Sequence, residues 1–201
     1  MRQDLPELEI TPEYLLSREP IRMDLLVVKK SDVAQVIKNK IGQGMRHYNI
    51  WEYKGPDDSL HIDALYKTIG YACLYKGYGK HVNEISAKDI AVSIFVERHP
   101  AKLFCQLEED GKKIVKKFPG IYCIEENLLF PMQIVVLSEL SREEHSSLRI
   151  LSKHVDIRDV EQFMKVTKGM KKSGDRDNIN AVLHACEMAN MYIFRELRRD
   201  E

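Results

Sequence analysis

Strong charge imbalance is missing from this 201-residue chain: 31 basic residues are matched by 31 acidic ones. No global field therefore draws it to nucleic acid or anionic membrane, and any polyanion site must be local. Also missing is any stretch approaching the roughly 18 apolar residues of a membrane span, and "MRQDLPELEI" lacks the apolar core of a signal peptide. Four cysteines, Cys73, Cys105, Cys123 and Cys186, form no C-x-x-C pair. Their apolar surroundings predict buried thiols in a reducing compartment. The seven histidines have no H-E-x-x-H or similar spacing, so they are expected to be surface or incidental residues. Repeats and low-complexity tracts are absent too. What remains is a soluble cytoplasmic protein whose 44% hydrophobic residues suit one core.

Pro6, Pro12 and Pro20 mark the first 20 residues as an irregular arm with at most a short turn around "PEYLLS". "IRMDLLVV" (21–28) reads as a strand covered on both faces, and "YNIWEYK" (48–54) as a second strand stopped by Gly55-Pro56. The segment between them reads equally as a short helix or a long hairpin loop. From an N-cap at Asp58 or Ser59, apolar residues recur at three- and four-residue steps through Cys73, which predicts a helix ending at Gly77 or Gly79. "DIAVSIFVER" (89–98) and "MQIVVLSEL" (132–140) predict strands, and the segment between them a hairpin turning at Asp110-Gly111. Residues 141–201 read as helical with one interruption at "TKGMKKSGDRD", after a capping-box "SREE". Their stripe from Ile179 to Leu197 suits packing on the core or a homodimer interface. The expected architecture is thus mixed α/β over 1–140, a central sheet flanked by helices, with a C-terminal helical extension over 141–201.

Chemistry is concentrated at "WEYKGPDD". Alternation along a strand puts Ile50, Glu52 and Lys54 on one face, with Glu52 and Lys54 about 7 Å apart at about 3.3 Å per residue. Asp24 lies inside an apolar strand, where a carboxylate costs several kcal/mol unless something positive meets it. A divalent cation shared with Glu52 answers that need, since Mg2+ binds through one or two carboxylates and leaves room for phosphate oxygens. A lysine ammonium beside it orients water and offsets charge on phosphorus. Asp24, Glu52 and Lys54 thus supply the parts for metal-assisted phosphodiester hydrolysis.

An aspartate in one strand, E-x-K in the next, then a helix and another strand resembles the PD-(D/E)XK nuclease superfamily. "PIRMDLLVV", "WEYKGPDDSLHIDALYKTIGYACLYKG" and "MQIVVLSEL" are similar to bacterial nuclease-family transposases and recombination-promoting nucleases. The resemblance spans about residues 10 to 140. It implies a restriction-endonuclease-like core, DNA as partner, Mg2+ or Mn2+ held by Asp24 and Glu52, and Lys54 positioning the nucleophile. Lys67-Thr68-Ile69-Gly70-Tyr71 has the spacing of a Q-x-x-x-Y motif in some branches, which implies substrate contacts for Lys67 and Tyr71. Departures are Met23 in place of proline before Asp24, lysine in place of glutamine at 67, and a first helix hardly represented, with Glu13 and Glu19 the nearest acids.

Other uses of the same residues stay open. Glu52 and Lys54 can form a salt bridge on an exposed strand face, worth about 0–1 kcal/mol. Asp24 can pair with Arg22, and Lys67 with Asp63 one helical turn away. Tyr71 can be a packed tyrosine. A catalytically inactive nuclease-like interaction module is the alternative function. The lysines of "GKKIVKK" and "TKGMKKSG" suit either solubility or a phosphate backbone.

Overall fold

The computed structural model describes residues 20–29, 39–55, 57–125, 128–153, 155–170 and 174–193. Its strands are β1 (Leu25–Val28), β2 (Tyr48–Lys54), β3 (Ile90–Val96), β4 (Lys113–Phe118), β5 (Ile121–Glu125) and β6 (Met132–Val136). Its α-helices are α1 (Ile62–Gly77), α2 (Ala101–Glu109), α3 (Arg142–Arg149), α4 (Ile157–Thr167) and α5 (Asp175–Ala189). One six-stranded sheet has the order β1-β2-β3-β6-β5-β4. The central β2, β3 and β6 run parallel, and the flanking pairs run antiparallel. The expected mixed α/β architecture is therefore observed.

Strand β3 is buried at all seven positions, as a largely apolar strand between two parallel neighbours, with Ile90, Val92, Ile94 and Val96 β-branched, is expected to be. Period-two alternation separates two cores. Ile50, Val92, Ile94, Val96 and Ile134 face a cluster with Leu65 and Ala72 of α1 and Leu103, Phe104 and Leu107 of α2. Trp51, Phe95, Ile121 and Val135 face the other way, against Ile41, Leu137, Leu140 and Leu148. Glu52 and Lys54 have the parity of Ile50 and therefore lie on the α1 side.

Several expectations are corrected. β1 is not covered on both faces: it is an edge strand with Leu25, Leu26 and Val28 exposed, and it starts one residue after Asp24. α1 is capped by His61, whose Nδ1 accepts from the Ala64 amide, not by Asp58 or Ser59. Neither Gly77 nor Gly79 takes a left-handed cap; the helix runs out at Tyr78.

The hairpin does not turn at Asp110-Gly111. Residues 101–109 form α2, because Leu103, Phe104 and Leu107 meet the core at helical spacing. Gly111, at φ 73°, ends it in a Schellman arrangement, with Gly111 N donating to Glu108 O and Lys112 N to Leu107 O at 2.8 Å. The hairpin follows, turning through Pro119 and Gly120. Strand β6 stops at Val136, where Leu137–Glu139 wind into a 3-10 turn.

Among the described residues the C-terminal segment is interrupted more than once: α3, α4 and α5 are separate helices. Ile179, Val182, Leu183, Cys186 and Ile193 pack with Ile150, Val155, Val160 and Phe163, so this part of the stripe is used within the chain. Arg149 Nη1 ties α3 to the 3-10 turn after β6 through the Ser138 and Leu140 carbonyls at 2.7 and 2.8 Å. Of the cysteines only Cys186 is buried; Cys73 and Cys105 are exposed and Cys123 is half-buried, all as free thiols. Glu13, Glu19, "PEYLLS", the 30–38 connection, Phe194 and Leu197 lie outside the described residues. No helix among the described residues is long and apolar enough to cross a membrane.

Candidate functional site

Register brings the two acids together. Leu25 pairs with Trp51 and Leu26 with Ile50; carried one residue further, the antiparallel ladder sets Asp24 opposite Glu52, and opposed residues share a face. The Asp24 carboxylate also extends the ladder, since the Tyr53 amide donates to Asp24 Oδ2 at 2.8 Å. Among the described residues Asp24 makes no ion pair with Arg22; its bond is to the backbone of β2.

Glu52 is buried, at 7% exposure. Its Oε1 receives Lys54 Nζ at 2.9 Å, while Oε2 is buried with no hydrogen-bond partner among the described residues. The ion pair is thus real, but it is not the exposed pair of the plainer reading. Solvent screening is weak at this depth, and an uncompensated carboxylate oxygen is costly.

Helix α1 supplies the next two residues. Lys67 Nζ lies 5.9 Å from the centre of the Tyr71 ring. The Lys67 pKa is held above its ordinary value, chiefly by a hydrogen bond with Tyr71, with the charges of Glu52 and Asp24 adding to it. Lys67 therefore faces the two acids, and not Asp63, whose nearest ionic neighbour is His61 at 3.7 Å. Tyr71 is a core residue at 7% exposure with its ring toward Lys67. All five sequence-predicted residues, Asp24, Glu52, Lys54, Lys67 and Tyr71, thus belong to one region between the edge of the sheet and α1.

Of these five, Lys54 and Lys67 also line a cleft of about 460 Å3, with Asp57, Asp58, Ser59 and His61; Asp24, Glu52 and Tyr71 are not part of its lining. Asp58 N donates to Gly55 O at 3.0 Å and Asp58 Oδ2 accepts from Gly55 N at 3.2 Å, which turns the chain off the end of β2 beside it. Lys153 of the extension holds Asp57 from behind at 2.8 Å, and that pairing lowers the Asp57 pKa.

Among the described residues no group of three His, Cys, Asp or Glu side chains has metal-holding geometry. The carboxylate pair Asp24 and Glu52 is what a hard cation would meet, and the unpartnered Glu52 Oε2 is a donor of the type Mg2+ or Mn2+ takes.

Three polar groups were not anticipated. Glu97, one residue past β3, is 3% exposed; a charged residue ending an apolar strand ordinarily marks solvent, so its sequence context concealed it. His145, expected at the surface, is buried, and burial pushes its pKa down. His99 Nδ1 meets Glu139 Oε1 at 2.8 Å, and Glu139 also takes the Tyr122 hydroxyl and Lys116 Nζ. Comparison of the chain with family models, curated proteins and solved structures finds no match.

Proposed function

We propose that this chain is a nuclease-like protein with a restriction-endonuclease-like core that hydrolyses DNA phosphodiester bonds with the help of Mg2+ or Mn2+. The observation that carries the reading is the half-satisfied Glu52 carboxylate: Lys54 on Oε1, nothing on a buried Oε2, with Asp24 in line for the opposite position. Asp24 and Glu52 would hold the cation, whose chemistry is to polarise a phosphoryl oxygen and stabilise charge on it. Lys54, from the same strand face, would orient the attacking water and receive negative charge building at phosphorus. Lys67 would contact the phosphate backbone, with Tyr71 limiting its movement.

The alternative, an inactive nuclease-like module, draws on the engagement of Asp24 by the Tyr53 amide and of Lys54 by Glu52. Incubation of supercoiled and linear DNA with the protein and Mg2+ or Mn2+ separates the two. Cleavage lost in Glu52→Ala and Lys54→Ala, with the fold retained by circular dichroism, is the expected result. Absence of cleavage by the wild-type chain on every DNA form would leave the module reading.

A further inference from the structure

The two margins of the sheet are unlike. β4, at one end of the strand order, carries Lys113, Lys116 and Lys117, the kind of charge by which an edge strand discourages another chain from pairing with it. β1, at the other end, reads Leu-Leu-Val-Val, with no charge, proline or bulge. Leu25, Leu26 and Val28 are 50%, 36% and 48% exposed. They represent both faces of the strand, since Leu26 and Val28 oppose Ile50 and Tyr48 while Leu25 opposes Trp51.

The outer backbone of β1 is open as well. Lys29 N donates inward to His47 O at 2.8 Å, and in an antiparallel ladder residues two apart point their backbone groups the same way. Leu25 and Val27 therefore face β2, and Leu26 and Val28 turn N–H and C=O outward, where no strand lies beside β1 among the described residues. Apolar surface continues next to this margin: Ile21, Leu74 and Tyr78 are exposed and share a small depression with Met23, two residues before β1.

Another strand fits such a margin, and the charges at its two ends select which. Asp24 precedes β1 and Lys29 follows it. An antiparallel copy of the same segment brings the acid end of each chain to the lysine end of the other, whereas a parallel copy sets like against like. Net charge over the whole chain is zero, so two copies meet without long-range repulsion. The described part of the C-terminal stripe, by contrast, is already packed inside the chain.

We propose that β1 pairs antiparallel with β1 of a second copy, joining the two sheets into one across a two-fold axis. An axis normal to the sheet keeps like faces together and makes one residue face its own counterpart. Val27 on the axis sets Leu26 against Val28 on either side, and each such pair exchanges both backbone hydrogen bonds through the outward groups. The α1 helices of the two copies then lie on the same side of the joined sheet. A seam of four residues from each chain is small for a specific interface, which gives a reversible dimer with a Kd of about 10–100 µM. The inference uses neither the metal nor the hydrolysis of the proposed function.

Sedimentation equilibrium of the full chain in EDTA, over about 1 to 300 µM, is the test. A monomer–dimer equilibrium in that range is expected, with hydrogen exchange that slows as concentration rises at the Leu26 and Val28 amides and not at those of β3. Leu26→Lys and Val28→Glu, both at exposed positions, should each weaken the dimer about ten-fold or more while circular dichroism shows the fold retained. Combined in one chain they should restore it to within about three-fold of wild type, because the register sets each lysine against a glutamate. A wild-type chain that stays monomeric at the highest concentration leaves the margin to some other occupant and overturns the proposal. So does a dimer that both single variants leave intact, which belongs to another surface, or a folded double variant no tighter than the singles, which excludes the register.

Discussion

Replacing Lys54 by methionine tests the electrostatics of the site directly. Methionine keeps an apolar stem of similar length, so packing is largely conserved and the ammonium is what goes. Glu52, with its side chain 8% exposed and Lys54 17%, would then keep a charge that neither oxygen can share. Removing one member of a buried pair costs about 3–5 kcal/mol; partial exposure of Lys54 and the nearby Lys67 reduce this to about 2–4 kcal/mol. For a chain of this length that is a fall in Tm of roughly 5–15 °C. Glu52→Gln/Lys54→Met should recover most of it, because no buried charge remains. Millimolar Mn2+ should also recover stability in Lys54→Met, where the carboxylate is free for the cation, but not in Glu52→Gln. Urea and thermal unfolding with and without Mn2+ provide the assay. A loss below about 1 kcal/mol in Lys54→Met, or equal Mn2+ stabilisation of Glu52→Gln, would refute this account of the pair.

Asp24→Asn keeps an acceptor for the Tyr53 amide, so stability should change by no more than about 1 kcal/mol, while Mn2+ affinity measured by calorimetry falls at least ten-fold. Stability should also decline on acidification in two stages. Burial depresses the His145 pKa; the unfolded chain therefore binds the extra proton first, and stability begins to fall as pH drops below about 6.5. Burial alone would raise the Asp159 pKa, but Arg149 and Arg142, at 2.7 and 2.6 Å, more than offset it and hold it low, so its contribution persists above about pH 4 and is lost below. Urea midpoints across pH check both stages, and His145→Gln should remove the first. Gly120→Ala should cost about 1–3 kcal/mol in backbone strain alone, since φ is +69° and a Cβ would lie 2.7 Å from Leu140 N and Val136 O; a urea midpoint close to wild type would contradict it.

The parts of the fold legible in the sequence were those where one periodicity dominated. Strand β2, helix α1 and strand β3 follow the expected patterns, and the E-x-K spacing placed Glu52 and Lys54 on one face. Where two periods compete, the pattern is ambiguous: Leu103, Cys105 and Leu107 alternate like a strand, and only Phe104, buried beside Leu103, discloses α2. The run of β1 gives no sign that its outer neighbour is absent, because an apolar edge and an apolar interior strand look alike. Glu97 and His145 were missed since their burial comes from residues far along the chain, Ser152 for one and Asn39 for the other. Asp24 reads in the sequence as a residue inside a strand, whereas it lies one residue before β1, and its bond to the Tyr53 amide depends on register, which composition does not specify.

Asp24 adjoins the shortest strand of the sheet, four residues paired on a single side, whereas Glu52 sits in β2 between two neighbours. The two carboxylates therefore ride on segments of unequal local stability, and fraying at the sheet margin would carry one acid away from the other without unfolding the interior. Any ion bridging them would act as a clasp on that margin, slowing hydrogen exchange at the amides of Leu25 and Val27 while leaving β3 unchanged.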